Sequence, residues 1–209
     1  MEKILLLTPL VLGDDYRSNG LIGSAIVQAL KPNHDVIEAS RSSKSHPVDI
    51  SNIDSLRTLL KNVGKVDSII CTAGVANFHG FNDATDADWN FGLSNKLMGQ
   101  VNIVRLGAEQ VNHQGSIILT TGVLSNYPMQ GSSVVTTVNA AVDGFVKSAA
   151  LELKDKVRVN AVSPGWISET LAHMKMDTSI GLPAAEVAKA YVKLMNSVET
   201  GVVQISAKG

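Results

Sequence analysis

Short, almost continuously apolar runs punctuate the chain at residues 4–7, 36–39, 66–71, 116–120, 157–162 and 202–206. A strand with one wet face alternates apolar and polar residues. A strand buried on both faces reads as an unbroken Val/Ile/Leu run, which is the habit of parallel sheets covered by helices on both sides. Segments with helical spacing lie between the runs. Residues 21–30 place Ile22, Ile26 and Ala29 on one face. Residues 51–63 open on Ser51 as N-cap with Asp54 three positions on, a capping-box pattern that Thr85 and Asp88 repeat. Leu97, Val101, Val104, Ala108 and Val111 form one apolar stripe, and Val138, Val142, Phe145, Ala149 and Leu153 form another. Pro183 opens a last helix carrying Val187, Ala190 and Leu194. Strands alternating with helices predict an α/β fold: a doubly wound, Rossmann-like parallel sheet in three αβα layers, with residues 1–209 as one domain.

Charge and cysteine usage narrow the partners. Lys plus Arg is 18 and Asp plus Glu is 19, for a net charge of −1. Bulk charge therefore attracts neither nucleic acid nor an anionic membrane. No run approaches the ~20 apolar residues that span a bilayer. Met1-Glu2-Lys3 lacks the basic head of a secretory signal, so the first run reads as a buried strand. The single cysteine, Cys71, forms no disulfide framework and suits a reducing cytoplasm. The histidines (His34, His46, His79, His113, His173) never pair at helical spacing, so no metal site is expected. The expected ligand is a small molecule.

In a doubly wound sheet the turn from first strand to first helix is where a dinucleotide pyrophosphate rests. Glycines let the backbone approach, and the helix N-terminus offers N–H donors and positive dipole. Gly20-Leu21-Ile22-Gly23 fits the last part of that fingerprint. Thr8 ends the strand where the first glycine is expected, and the stretch 9–19 between them contains Gly13, Asp14, Asp15, Tyr16 and Arg17. The end of the second strand selects the cofactor. A carboxylate there accepts from the ribose hydroxyls of NAD, and an arginine accommodates the 2′-phosphate of NADP. Ser40 stands at the carboxylate position and Arg41, Ser42 and Ser43 follow, which favours NADP(H). Glu38, inside the strand, is assigned a structural role.

Beyond the first turn, several segments together resemble the short-chain dehydrogenase/reductase family, and the resemblance covers nearly the whole chain. Asp49-Ile50 is similar to the family's adenine-contacting pair. Cys71-Thr72-Ala73-Gly74 resembles its Asn-Ala-Gly turn with Thr72 in place of asparagine. Residues 157–166, ending Ser163-Pro164-Gly165-Trp166, resemble the strand and Pro-Gly loop that hold nicotinamide, with Ile167 next. Residues 140–153 resemble the long helix that carries the family's Tyr-x-x-x-Lys. The resemblance implies cofactor contacts at Gly20, Ile22, Gly23, Ser40, Arg41, Asp49, Ile50, Ala73, Gly74, Asn139, Pro164, Gly165, Trp166 and Ile167. It also implies a homo-oligomer, dimer or tetramer, with the helices of residues 97–111 and 138–153 packed across a two-fold axis.

The same register exposes a departure. The family's tyrosine exchanges a proton with the substrate oxygen, and its lysine lowers the tyrosine's pKa and binds ribose. Val135 falls on the tyrosine and Asn139 on the lysine. Valine transfers no proton, and asparagine bonds a ribose without carrying charge. The family's helix asparagine is replaced by Lys96, with Asn95 adjacent. Thr121 best matches the catalytic serine, and a one-residue gap puts Gly122 there instead. A lysine held near nicotinamide and partly desolvated can take over proton transfer, so Lys96, Thr121 and Tyr127 are the candidate catalytic residues. Met174 and Met176 fall in the segment that closes over substrate in the family. The expectation is an NADP(H)-dependent oxidoreductase acting on a small carbonyl or alcohol with a rearranged acid–base site. The alternative is a non-catalytic NADP(H)-binding sensor or assembly partner.

Overall fold

The computed structural model describes residues 1–9 and 19–208. Six parallel strands form one sheet in the order β2-β1-β3-β4-β5-β6, comprising β1 (Lys3–Leu7), β2 (Asp35–Ala39), β3 (Val66–Cys71), β4 (Val111–Thr120), β5 (Arg158–Pro164) and β6 (Val203–Ser206). The helices are α1 (Asn19–Leu30), α2 (Ile53–Val63), α3 (Asp86–Gly92), α4 (Met98–Gly107), α5 (Ser133–Leu153), α6 (Ser168–His173) and α7 (Ala184–Asn196). Each apolar run read from the sequence is a strand, and the doubly wound three-layer architecture is as expected. No helix among the described residues is long and apolar enough to cross a membrane.

The unbroken apolar runs serve two cores. Along β1, Leu5 and Leu7 point to one face, where Leu56, Leu60, Ile103, Val142 and Val146 of α2, α4 and α5 close over them. Ile4 and Leu6 point to the other, beneath Ile22, Ile26, Val187, Tyr191 and Leu194 of α1 and α7. Period-two alternation of side chains makes every residue of such a strand a core residue.

Two boundaries differ from the sequence reading. The N-cap of α2 is Asn52, not Ser51: its side chain accepts from the N–H groups of Asp54 and Ser55. Ser51 instead donates its hydroxyl and its N–H to Asp49 Oδ1, at 2.6 and 2.9 Å. The Thr85–Asp88 capping box forms as read. The stripe expected to run to Val111 stops at Gly107, and Val111 opens β4. Gly107 lies against the sheet so closely that a Cβ would stand 2.8 Å from Ile69 Cδ1. The chain turns there, with Gln110 N–H donating to Gly107 O and Val66 N–H to Gln110 O. Tertiary packing, not helical periodicity, sets that end.

The order β2-β1-β3 means that the chain winds outward from β1 in one direction, then returns to continue in the other. The crevice between the carboxyl ends of β1 and β3 is the topological switch point, where ligands of such sheets bind.

Candidate active site

The carboxyl ends of β3, β4 and β5 open onto a cavity of about 620 Å³, lined among others by Gly74, Phe78, Lys96, Thr121, Val135, Asn139 and Trp166. A smaller one of about 160 Å³ adjoins it, bounded by Gly122, Pro164, Gly165 and Ile167. Phe78, Asn139, Trp166 and Thr170 line both.

Lys96 reaches the cavity through a helical irregularity. Between α3 and α4 the helix widens to a π turn over Leu93–Leu97. Such single turns recur at functional sites because they re-aim side chains without ending the helix. Here the turn buries both Asn95 and Lys96. Asn95 Oδ1 accepts from Val75 N–H at 2.8 Å and so pins the loop leaving β3. Gly74, with φ +119°, passes directly beneath Lys96: a Cβ there would lie 2.9 Å from Lys96 Cδ and 3.2 Å from its Cα. That conformation and that closeness both require glycine.

Lys96 is 7% exposed. Its Nζ makes no hydrogen bond or ion pair with another described residue. Burial pushes its pKa down to about 8, against the attraction of Cys71 and Asp143. Burial also pushes the Cys71 thiol up to about 12. Cys71 is therefore neutral where Lys96 titrates. Asp143 stands one helical turn beyond Asn139 on α5, with its Oδ1 buried and unpartnered among the described residues.

The rest of the site is held from β4. Gln100, on the turn of helix after Lys96, clamps the end of that strand: its Nε2 donates to Thr120 O at 2.6 Å and its Oε1 accepts from Thr120 N–H at 2.7 Å. Thr120 Oγ1 donates to Cys71 O at 2.6 Å and meets the Tyr191 hydroxyl at 2.7 Å. This fixes Thr121, whose hydroxyl donates to Asn139 O at 3.3 Å. Next comes Gly122, where a Cβ would lie 2.9 Å from Asn139 Nδ2. The Asn139 side-chain amide has no partner among the described residues and faces both cavities.

The structure thus brings Gly74, Lys96, Thr121, Asn139 and Trp166 together, with Pro164, Gly165 and Ile167 beside them. Tyr127 does not join them: its side chain is 66% exposed, and it lines neither cavity. Packing has no use for that ring, because the turn that carries it faces outward. Ile22, Ile50, Ala73 and Ile167 bury their side chains in the cores, so only their backbone is open to a ligand. Gly23 packs at the start of α1 against Thr8, whose Cγ2 would lie 2.5 Å from a Cβ, and Thr72. Gly20 lies in the same first turn of α1. Gly13, Asp14, Asp15, Tyr16 and Arg17 lie outside the described residues.

At the end of β2, Arg41 Nη2 donates to Asp49 Oδ1 at 2.9 Å. The Asp49 carboxyl is held below the usual carboxylate range: burial works to raise it, and bonds from Arg41 and Ser51 outweigh that. Ser40 Oγ lies 3.3 Å from Ser42 Oγ. Glu38 pairs with Lys31 at the surface, 2.8 Å apart. Sequence reasoning missed Gln100 and Thr170. A glutamine on the sheet-facing side of an apolar helix, four residues after Lys96, was the available signal. Thr170 offered none.

Residues 21–203 match the family model described as enoyl-(acyl carrier protein) reductase. The chain belongs to the short-chain dehydrogenase/reductase family. It is 32% identical to the NADP-dependent mannitol dehydrogenase of Alternaria alternata over 122 residues, 56% of this chain and 46% of that protein. It is 30% identical to the uncharacterized oxidoreductase YohF of Escherichia coli K12 over 147 residues, 66% of this chain and 57% of that protein. The chain therefore spans about half the length of the curated relatives it matches. Among solved structures it resembles the protein lin1944 of Listeria innocua, with a TM-score of 0.88, 35% identity, and coverage of 98% of this chain and 99% of that one. A small-chain dehydrogenase in complex with NADPH superposes with a TM-score of 0.84 at 25% identity, covering 99% and 96%.

Proposed function

We propose that this chain is an NADP(H)-dependent oxidoreductase that interconverts a small carbonyl compound and its alcohol, with Lys96 as its acid–base group. The observation that carries the reading is the buried Lys96, without a hydrogen-bond or ion-pair partner among the described residues, in the wall of the cavity with Thr121 and Asn139.

The residues fit the dinucleotide. Ser40, Arg41 and Ser42 offer a cation and hydroxyls to a 2′-phosphate, with no carboxylate at Ser40 to repel it. Gly74, Gly122, Pro164 and Gly165 line the two cavities, and the Asn139 amide, without a partner among the described residues, can bond a ribose hydroxyl. An NADPH complex of a structural neighbour and the NADP-dependence in a relative's name agree with this choice. When bound, the nicotinamide supplies or accepts hydride. Lys96 gives its ammonium proton to the carbonyl oxygen in reduction, and its amine takes that proton back in oxidation. A group titrating near 8 is charged and ready to donate at neutral pH, whereas an ordinary lysine is too weak an acid to do so readily. Asp143 keeps the ammonium form from being lost altogether to desolvation. The Thr121 hydroxyl, whose proton goes to Asn139 O, can accept from the O–H of the alcohol, and Val135 and Val138 present an apolar wall in place of a phenol.

The test is a fluorescence titration with NADPH and NADH, then turnover on a panel of small aldehydes and ketones. Tighter binding of NADPH together with turnover supports the reading. NADPH binding without turnover favours a sensor or assembly partner, the reading that the loss of tyrosine and lysine at Val135 and Asn139 also recommends. Failure to bind either dinucleotide refutes both.

A further inference from the structure

We propose that Lys96 is also a nucleophile, and that its amine forms an imine with small apolar aldehydes and ketones that enter the cavity. The inference uses the placement of Lys96 alone and needs no dinucleotide.

Three features carry it. First, Lys96 is the one ionisable side chain among the described residues that line the 620 Å³ cavity. No carboxylate in the lining ties the amine into an ion pair, and Nζ has no hydrogen-bond partner among the described residues. Second, the lining is otherwise dominated by apolar groups, Val75, Phe78, Met129, Val135, Trp166 and Met174 among them. Such a wall desolvates both amine and carbonyl, the circumstance in which a lysine becomes a nucleophile at neutral pH. It also sets the ligand class: an apolar body carrying an unhindered carbonyl. Third, the Asn139 side-chain amide lines the same cavity and has no partner among the described residues. Its N–H groups can donate to a carbonyl or carbinolamine oxygen in the cavity.

The chemistry balances without a further reactant. The nitrogen lone pair attacks the carbonyl carbon, a C–N bond forms, and the oxygen takes one proton from nitrogen to give the carbinolamine. The hydroxyl then leaves as water with the second nitrogen-borne proton while the C=N bond forms. One water is released, and nothing is oxidised or reduced. Two groups face Lys96 electrostatically, Cys71 from β3 and Asp143 from α5. The neutral Cys71 thiol leaves Asp143 as the group that opposes deprotonation. With a pKa near 8, Lys96 holds roughly two orders of magnitude more free amine at neutral pH than an ordinary lysine does.

The full chain, free of dinucleotide, is incubated with hexanal and sodium cyanoborohydride, and the modified residue is located by peptide mass mapping. The expected result is one dominant addition, at Lys96, at least tenfold faster than at exposed lysines such as Lys31 or Lys189. Its rate should rise as pH passes through about 8. Label spread over exposed lysines with Lys96 unmodified overturns the proposal. Lys96→Arg keeps the charge and should lose the dominant addition, and the wild-type map decides the matter even if that variant does not fold. Hydride transfer is not measured here, so labelling of Lys96 by a chain that turns nothing over refutes the oxidoreductase reading alone.

Discussion

Replacing Lys96 by methionine should make the protein more stable and less active at once. The buried ammonium is held at a pKa of about 8 against an ordinary 10.5. At ~1.4 kcal/mol per pKa unit, the charged form costs the folded state about 3 kcal/mol, net of its attraction to Asp143. The sign follows from where the protons are. Below about pH 8 both folded and unfolded chains hold the proton, and the penalty is complete. Between 8 and 10.5 the unfolded chain binds more protons than the folded one, so stability rises with pH. Above 10.5 both are neutral and the penalty has gone. Methionine keeps most of the apolar stem packed over Gly74 and removes the charge. A domain of this size shifts its Tm by roughly 2–4 °C per kcal/mol. Thermal unfolding of Lys96→Met at neutral pH should therefore lie roughly 6–12 °C above wild type, with the gap closing as pH rises from about 8 to 10.5. A variant less stable at neutral pH, or a gap indifferent to pH, would refute the reasoning.

Arg41→Ala should weaken NADPH binding by roughly 10- to 100-fold, the worth of a charged hydrogen bond of about 1.5–3 kcal/mol, and leave NADH nearly unchanged; equal wild-type affinity for the two cofactors would defeat the claim. Gln100→Leu strands the N–H and C=O of Thr120 in the core and should cost about 2–6 kcal/mol by urea unfolding, at ~1–3 kcal/mol for each unpaired group. A loss under about 1 kcal/mol would show that Gln100 does not clamp β4. Light scattering at micromolar concentration should find a dimer or tetramer, because α4 and α5 leave Met98 and Leu151 exposed, and a monomer would count against assembly through those helices.

The strands were legible because burial on both faces leaves no polar alternation, and the runs of β1 and β3 show just that. Helix ends were legible where a side chain makes them, as at Thr85, and misread where packing does. At Gly107 the close approach to Ile69 ends α4, and no local pattern announces a contact between residues so far apart in sequence. Asn52 and Ser51 are both competent caps, and the choice between them turns on Asp49, which engages Ser51. In the site, register alone put Lys96 opposite Asn139, whereas its burial depends on a π turn that the sequence does not advertise. Tyr127 failed as a candidate for the converse reason: chemistry-bearing type and proximity in sequence say nothing about which way a loop faces.

The central claim is that Lys96 supplies the proton in an NADPH-dependent reduction. Its most direct test is the pH dependence of NADPH oxidation with whichever carbonyl compound turns over, for wild type and Lys96→Met. The account predicts a wild-type rate that falls as pH rises through about 8, where the ammonium is lost, and a variant at least tenfold slower with that transition absent. A variant that turns over at the wild-type rate, or that keeps the same transition, would contradict it.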